Sequence, residues 1–321
     1  MVRWREGMQE MFYYIEKNEK NTTYYLFGKK ILRIRRSPVK KLEQEVEALS
    51  SIVRSSVTAS TMPKAEGLLR DIQMADLRIL REFDRVAREA GMTWWLDFGT
   101  LLGAVRHGGF IPWDDDIDVC MVREDYNRLI ETFTRLTQDD ELEAVHYSNP
   151  NGKVNLIKVR HRRLKDLCVD VFPVDVCREE MSDEEKLKFS KELKQMIGTN
   201  RRKGKEQGRI EDYHARFLSL RDKYLPKVCA YDDAEAKTVY YGCEFCHERH
   251  RYNAFDHGDI FPVKMISFEG EQFPCVAQPD RYLTYVFGDY MGLPKEVHVH
   301  IDTKKYTPKE IFAIRAYGRG E

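Results

Sequence analysis

Residues 94–121 read WWLDFGTLLGAVRHGGFIPWDDDIDVCM, and both the predicted fold and the predicted chemistry start from this stretch. It carries four aspartates within five positions: Asp114, Asp115, Asp116 and Asp118. Carboxylates a few Å apart each disfavour ionisation of the others, and a nearby cation removes that penalty. The run therefore indicates a divalent metal site. A solvated acidic face or a Ca²⁺ loop is the alternative, but the apolar residues on both sides argue against a solvated face.

The spacing of the last two acids supports a metal site. On a strand, the period of two puts Asp116 and Asp118 on one face, while Ile117 and Val119 point into the core. Mg²⁺ typically takes one or two protein carboxylates and fills its remaining positions with water and substrate phosphate. Two carboxylates on one rigid face therefore suit Mg²⁺.

A predicted anion site precedes the acids. Gly99 and Thr100 open a short predicted helix over residues 101–106, and the free N–H groups at a helix N-terminus bind phosphate. Phosphate held between such a helix and an Asp-x-Asp metal site is a nucleotidyltransferase-like arrangement. Arg106 and His107 follow, and Arg106 could donate two hydrogen bonds to a diphosphate. The alternative for Arg106 is an ion pair with the aspartates.

The run GTLLGAVR at residues 99–106, followed by FIPWDDDID at residues 110–118, resembles the signature of the LicD family, which includes phosphocholine transferases, fukutin and fukutin-related protein. The resemblance implies a nucleotidyltransferase-type fold and transfer of a phospho-substituent from a CDP-activated donor to a glycan with a divalent metal, Mg²⁺ or Mn²⁺. The blocks FPxKxxxFEGxxF and YxxxxFGDYMxLP, within residues 260–300, extend the similarity to roughly residues 70–305. In that pattern a histidine follows the LP pair. His300, or His298, is therefore expected to contact donor phosphate, with a structural role as the alternative.

Asp170 is the most informative residue outside the opening stretch. A carboxylate inside the apolar segment 167–173 costs several kcal/mol if it is buried without a partner. A third metal ligand beside the Asp-x-Asp pair explains it, and a similar acid is implied for LicD relatives; an ion pair with an arginine is the alternative. Lys158, on a neighbouring predicted strand, is expected at the donor phosphates or paired with the aspartates. Asp175 is expected only to cap a turn.

These observations predict the roles of the acids. The predicted metal ligands are Asp114, Asp116, Asp118 and Asp170. Asp116, Asp118 and Asp170 are the predicted catalytic residues, and Asp118 or Asp170 is expected to take the proton of the acceptor hydroxyl.

A second metal site is a separate expectation. Cys243, Cys246 and His247 spell C-x-x-C-H, the haem c attachment pattern, but covalent haem requires export and no signal is predicted. Structural Zn²⁺ held by both cysteines with His247, His250 or His257 is one interpretation. Ordinary buried cysteines on a helix are the other. Fukutin-related protein is implied to carry a zinc-bound loop, with a cysteine pattern that this sequence does not reproduce.

Composition excludes several classes of protein. The 321 residues hold 53 basic and 53 acidic side chains, so net charge does not favour nucleic acid as a partner. No apolar run is long enough to span a bilayer. The first ten residues lack the apolar region of a secretory signal, and the seven scattered cysteines fit a reducing compartment. The predicted location is the cytoplasm, including the inner face of its membrane.

The N-terminal segment carries a concentrated positive charge. Residues 24–41 hold seven basic side chains, all between Lys29 and Lys41, and no acid. Such a segment can contact an anionic membrane, at about 1 kcal/mol per basic side chain; the alternative is a basic edge strand and turn. Ser37-Pro38 predicts the start of a helix that runs to about residue 55, a candidate contact for homo-oligomers. Residues 54–62 are a predicted linker.

Helix and strand patterns alternate along the rest of the chain, which predicts an α/β fold. The expected architecture is a nucleotidyltransferase-like mixed β-sheet flanked by helices, with an N-terminal helical extension and a C-terminal helical and β subdomain. Predicted domain ranges are 1–62, 63–180 and 181–321. Predicted helices run from Pro63 to a stop at Gly91, over 124–136 and 182–197, to Tyr224, and over about 233–241 and 279–287; predicted strands cover 93–98, 142–148, 154–159, 167–173 and 263–268.

The sequence thus predicts a metal-dependent LicD-type transferase. It would move phosphocholine or a phospho-alditol from a CDP-linked donor to a hydroxyl of a cell-surface or lipid-linked glycan and release CMP. One alternative keeps the fold but transfers a nucleotidyl group to a small molecule with release of pyrophosphate. The other is a catalytically inactive scaffold of a glycan assembly complex, against which the intact acid set argues.

Overall fold

The computed structural model describes residues 13–17, 21–26, 29–35, 48, 62–148, 155–203, 210–242, 244, 254–293 and 305–320. The chain divides into two compact units, residues 1–58 and residues 59–321. Every candidate site residue belongs to the second unit. Among the described helices, none has the length and apolar character needed to span a bilayer.

In the first unit, three strands form an antiparallel sheet in the order β1-β2-β3. They are β1 (Tyr13–Lys17), β2 (Asn21–Leu26) and β3 (Lys29–Arg35). The basic residues of β3 therefore lie in a strand at the edge of this sheet, as the strand alternative predicted, whereas β1 and β2 were not predicted. The helix expected after Ser37 lies outside the described residues apart from Ala48, which is helical.

The second unit is a mixed β-sheet with helices packed on it, which confirms the predicted α/β class. The strands of its main sheet are β4 (Trp94–Leu96), β5 (Ile117–Val122), β6 (Leu142–Ser148), β7 (Asn155–His161), β8 (Cys168–Cys177), β9 (Val228–Cys229), β10 (Thr238–Tyr241) and β11 (Ala254–Asp256). A separate hairpin consists of β12 (Lys264–Phe268) and β13 (Glu271–Cys275). The helices are α1 (Gly67–Glu89), α2 (Phe98–His107), α3 (Arg123–Leu136), α4 (Asp183–Lys203), α5 (Ile210–Tyr224), α6 (His257–Ile260), α7 (Pro279–Phe287) and α8 (Pro308–Arg319).

Strand β8 organises the sheet. It pairs in parallel with β5, while its pairings with β7, β9 and β10 are antiparallel. Its burial is nearly continuous, with Val169, Val171 and Cys177 at 0 % exposure. A strand covered on both faces reads as an apolar run, which is why the sequence predicted a central strand here.

The predicted apolar stripe of α1 packs against this sheet. Ile72, Leu80, Phe83 and Val86 are all buried, at most 2 % exposed. The helix ends before Gly91, whose φ of +60° is the left-handed conformation that the sequence predicted for the stop. α8 also packs against α1.

One predicted helix is wrong. Residues 233–241 were expected to be helical, but Thr238–Tyr241 form β10, which pairs with β8 on one edge and β11 on the other. Thr238, Val239 and Tyr240 are all buried. The β-branched and aromatic side chains of TVYY suit a strand between two neighbours, and this tertiary pairing outweighs the local helical pattern.

Candidate active site

Two acids of the site lie side by side on adjacent strands. In the parallel pairing of β5 with β8, Asp118 is the partner of Asp170, and Ile117 is the partner of Val169. Ile117 and Val169 are both 0 % exposed, so the alternating residues point into the core as the period of two predicted. The side chains of Asp118 and Asp170 therefore share the other face of the sheet.

The preceding loop adds further negative charge at this place. The carboxylates of Asp114 and Asp116 lie close enough to interact directly. Burial, together with the charges of Asp116 and Asp115, raises the pKa of Asp114 to about 8. Burial and then the charges of Asp116 and Asp170 raise the pKa of Asp118 well above its usual range. These carboxylates are therefore stabilised when they bind protons or a cation.

The start of α2 lies against the same acids. The hydroxyl of Thr100 accepts a hydrogen bond from the Asp118 N–H at 2.8 Å, which ties α2 to β5. A Cβ at Gly99 would lie 2.7 Å from Oδ2 of Asp114, so a larger residue here would displace that carboxylate from the helix N-terminus. The predicted phosphate site is therefore bordered by the predicted metal ligands.

Asp97 holds this helix start and was missed in the sequence. It is the N-cap of α2 and accepts a hydrogen bond from Phe98 N at 2.7 Å. Its buried carboxylate also accepts from the hydroxyl groups of Tyr282 at 2.5 Å and Tyr241 at 3.2 Å and from the thiol of Cys120 at 2.7 Å. Asp97 fell inside the predicted strand 93–98, whereas the observed helix begins at Phe98, so that its N-cap signal was not recognised.

Lys158 compensates Asp170. Its ammonium group lies 2.6 and 2.9 Å from the two carboxylate oxygens of Asp170, and both side chains are 17 % exposed. The ion-pair partner of Asp170 is thus a lysine rather than the arginine considered from sequence, and contact of Lys158 with the donor phosphates stays a prediction. Burial still raises the pKa of Asp170, although Lys158 opposes that rise.

Arg106 contacts the backbone of the YxxxxFGDYMxLP block, which resembles LicD proteins. Its guanidinium donates to the carbonyl oxygens of Tyr290 at 2.8 Å and Gly292 at 3.2 Å. It also donates through Nε to Nε2 of His107 at 3.0 Å, and the His107 ring meets Trp113 edge to face. Arg106 thus positions the segment after α7, and phosphate contact by Arg106 and His107 stays a prediction.

Two residues of α1 reach the site, and the sequence analysis placed them only in a buried helix. The amide of Gln73 donates to the carbonyl oxygens of Asp114 at 2.8 Å and Ile111 at 3.3 Å, which holds the acidic loop. Asp76 accepts a hydrogen bond from Cys168 N at 2.9 Å. The signal was available, because Asp76 interrupts the apolar stripe between Ile72 and Leu80.

The carboxylates of the acidic site are suitable ligands for a hard cation, but they are not arranged around one point in this structure. Within the described ranges, no three His, Cys, Asp or Glu side chains are positioned to hold a metal ion. Carboxylate oxygens are the ligands that Mg²⁺ and Mn²⁺ prefer, and a buried carboxylate oxygen of Asp76 has no hydrogen-bond partner in the described part of the chain. Coordination therefore requires the carboxylates to turn toward one another.

The remaining predicted site residues belong to parts of the chain that the structure does not describe. Cys243, Cys246, His247, His250 and His300 lie outside the described residues. The zinc site and the contact of His300 with donor phosphate stay predictions.

Comparison with known proteins identifies relatives of this site. Residues 91–201, which include all the acids from Asp97 to Asp170, match the family described as LicD/FKTN/FKRP, nucleotidyltransferase domain. The chain is similar to the lipopolysaccharide cholinephosphotransferase LicD of Haemophilus influenzae, at 29 % identity over 256 residues that cover 71 % of this chain and 93 % of that protein. It is also similar to the ribitol 5-phosphate transferase FKRP of Mus musculus and of Homo sapiens, at 51 % identity over 53 residues that cover 15 % of this chain and 11 % of each relative.

Proposed function

Because this chain belongs to the LicD family of phosphotransferases, we propose that it moves phosphocholine or a phospho-alditol from a CDP-activated donor to a hydroxyl of a cell-surface glycan and releases CMP. Similarity over nearly the full length of a lipopolysaccharide cholinephosphotransferase supports this reaction class. The observation that carries the proposal is the register of β5 and β8, which sets Asp118 beside Asp170 at the start of α2.

We propose that Asp114, Asp116, Asp118 and Asp170 hold Mg²⁺ or Mn²⁺ at the donor diphosphate. When bound, the ion supplies positive charge that offsets the charge developing on the departing CMP. The backbone N–H groups at the start of α2 bind the donor phosphates. Lys158, which contacts Asp170 at 2.6 Å, adds a positive charge on the same face of the sheet.

The residues of the chain also handle the proton of the acceptor. The acceptor oxygen forms a bond to the distal phosphorus while the bond from that phosphorus to the CMP oxygen breaks. Asp118 or Asp170 takes the hydroxyl proton, since both carboxylates lie on the strand face beside the helix start. We also propose that the acceptor is a glycan or a lipid-linked glycan. Residues 24–41 would contact an anionic membrane, and residues 38–55 would contact a second copy of the chain.

The test is a search for released nucleotide by mass spectrometry. The full chain is incubated with Mg²⁺ or Mn²⁺ and CDP-choline, CDP-ribitol, CDP-glycerol or NTPs, in the presence of glycan acceptors. We expect CMP release with one CDP donor, and a loss of at least about a hundredfold in Asp118→Asn and Asp170→Asn, because each removes a charge from the reacting site. Asp233→Asn, at a partly exposed ion pair with Arg178 outside the acidic site, is the control and should keep full activity.

Other outcomes identify the alternatives. Pyrophosphate release from an NTP, with no CMP from any CDP donor, would support nucleotidyl transfer to a small molecule. An unaltered cellular phenotype in the Asp118→Asn strain would support a scaffold role. Either result contradicts the proposed reaction.

A further inference from the structure

α1 carries a buried carboxylate, Asp76, that has no part in the proposed reaction. Asp76 is 0 % exposed and lies on the buried face of α1 between Ile72 and Leu80. Its Oδ1 accepts the hydrogen bond from Cys168 N at 2.9 Å. Its Oδ2 is also buried and has no hydrogen-bond partner within the described ranges.

The position of Asp76 is fixed relative to the other acids. Cys168 begins β8 and lies two residues before Asp170, so the hydrogen bond places the Asp76 carboxylate at the same end of the strand. Burial first, and then the charges of Asp116, Asp115 and Asp170, raise the pKa of Asp76 well above its usual range. Asp76 and Asp170 therefore lie near the same end of β8, and the other acids are close enough to act on the Asp76 carboxylate.

The contact with Cys168 does not require a charged side chain. An asparagine would accept the same N–H through its amide oxygen without bringing a negative charge into the interior. A buried carboxylate oxygen with no partner is costly, and the cost is larger beside other carboxylates. A cation between these groups removes both costs, and this is the physical reason to expect an aspartate here.

We infer that Asp76 is a further ligand of the cation site and binds Mg²⁺ or Mn²⁺ through Oδ2 together with Asp116, Asp118 and Asp170. The inference rests on the proposed function, because it adds a residue to the cation site proposed there. α1 would then contribute a metal ligand to the site, in addition to the hydrogen bond from Gln73 to the carbonyl oxygen of Asp114.

The test measures Mn²⁺ binding to the full chain without any donor, by the EPR signal of free Mn²⁺. We expect Asp76→Asn to weaken Mn²⁺ affinity about tenfold or more, since it keeps the Cys168 contact and removes the charged oxygen. The matched control is Asp84→Asn on the same helix. Asp84 is 4 % exposed and its Oδ1 also has no hydrogen-bond partner in the described part of the chain, but it pairs with Arg88 and borders a surface groove lined by Met265 and Phe273. The Mn²⁺ affinity of the Asp84→Asn variant should stay within about twofold of that of the unmodified protein.

The outcomes separate this inference from the proposed function. If the unmodified protein binds no Mn²⁺, the metal-dependent reaction and the role of Asp76 are both wrong. If Asp118→Asn loses Mn²⁺ while Asp76→Asn keeps it, only the role of Asp76 is wrong. Thermal unfolding of Asp76→Asn without metal should occur at or above the midpoint of the unmodified protein, because a buried charge has been removed.

A second measurement needs no variant. Crystals of the unmodified protein soaked in Mn²⁺ should show an anomalous peak within about 2.5 Å of Asp76 Oδ2. A peak between Asp116, Asp118 and Asp170 that leaves Asp76 bonded only to Cys168 would overturn the inference, even if Asp76→Asn did not fold.

Discussion

Glu269 connects the β12–β13 turn to the loop that leads into the acidic site. Its carboxylate accepts hydrogen bonds from Arg70 at 2.7 Å, Lys64 at 2.6 Å and the N–H of Phe110 at 3.1 Å. Its own N–H donates to the carbonyl oxygen of Gly108 at 3.0 Å. Burial acts to raise the pKa of Glu269, but the hydrogen bonds from Arg70 and Lys64 lower it to about 2. A folded-state pKa below the ordinary value of 4.5 means that ionisation of Glu269 stabilises the fold.

We predict that Glu269→Gln lowers the free energy of unfolding by about 2–3 kcal/mol at pH 7. The contribution is fully present above about pH 4.5 and is lost as the pH falls toward about 2, so the gap between the two proteins should narrow over that range. Urea unfolding at several pH values measures it. Glu271→Gln is the control, because the Glu271 pair with Arg81 is 39 % and 44 % exposed and should contribute at most about 1 kcal/mol. A gap that does not change with pH would contradict the prediction.

At the scale of elements, the C-terminal half of β8 is held by a buried charge network. Asp175 is 0 % exposed and accepts from Arg123 at 2.9 and 2.8 Å and from Arg221 at 2.6 Å. Arg123 also donates to Glu244 at 2.5 Å. Burial acts against ionisation, yet the two arginines hold the pKa of Asp175 below its usual range. Asp175 was expected only to cap a turn; instead it joins β8 to α3 and α5.

We predict that Asp175→Asn destabilises the protein by about 3–5 kcal/mol, because it leaves buried guanidinium charge without its partner. Urea unfolding at pH 7 measures the change. The control is Asp233→Asn, which breaks a partly exposed pair with Arg178 and should lower the free energy of unfolding by at most about 1 kcal/mol. A loss of stability in Asp175→Asn as small as that of the control would contradict the prediction.

At the scale of the whole second unit, the C-terminal helix α8 supports the helix that reaches the site. A Cβ at Gly318 would lie 3.1 Å from Ala75 N, so the two helices approach closely at this glycine. Arg78 of α1 donates to the carbonyl oxygen of Tyr317 at 2.9 Å, and its guanidinium lies 4.1 Å from the centre of the Tyr317 ring. Residues at the end of the chain therefore help to position Gln73 and Asp76.

We predict that Tyr317→Ala lowers the free energy of unfolding by about 3–5 kcal/mol, since the ring is only 4 % exposed and its removal leaves a cavity against α1. Thermal and urea unfolding measure it. Phe312 lies on the same helix but is 73 % exposed, and Phe312→Ala should change stability by no more than about 0.5 kcal/mol. A small effect of Tyr317→Ala would mean that α8 is not needed to hold α1.

Much of the fold could be predicted from local patterns. The observed bounds of β6, Leu142–Ser148, and α7, Pro279–Phe287, agree with the sequence prediction, because alternation and a proline in the first helical turn are local signals. The strand at Thr238–Tyr241 was missed, because the pairing that favours it is made with β8, about 60 residues earlier in the chain.

The sequence by itself determined the resemblance to the LicD family, the α/β class and the placement of the acids in one stretch and one later strand, since period and motif are carried by neighbouring residues. Only the tertiary structure decided which groups meet those acids. Lys158 pairs with Asp170, and Asp76 and Gln73 approach from α1. Such contacts depend on strand register and helix packing, which bring together residues up to 92 positions apart, and no local pattern records that distance.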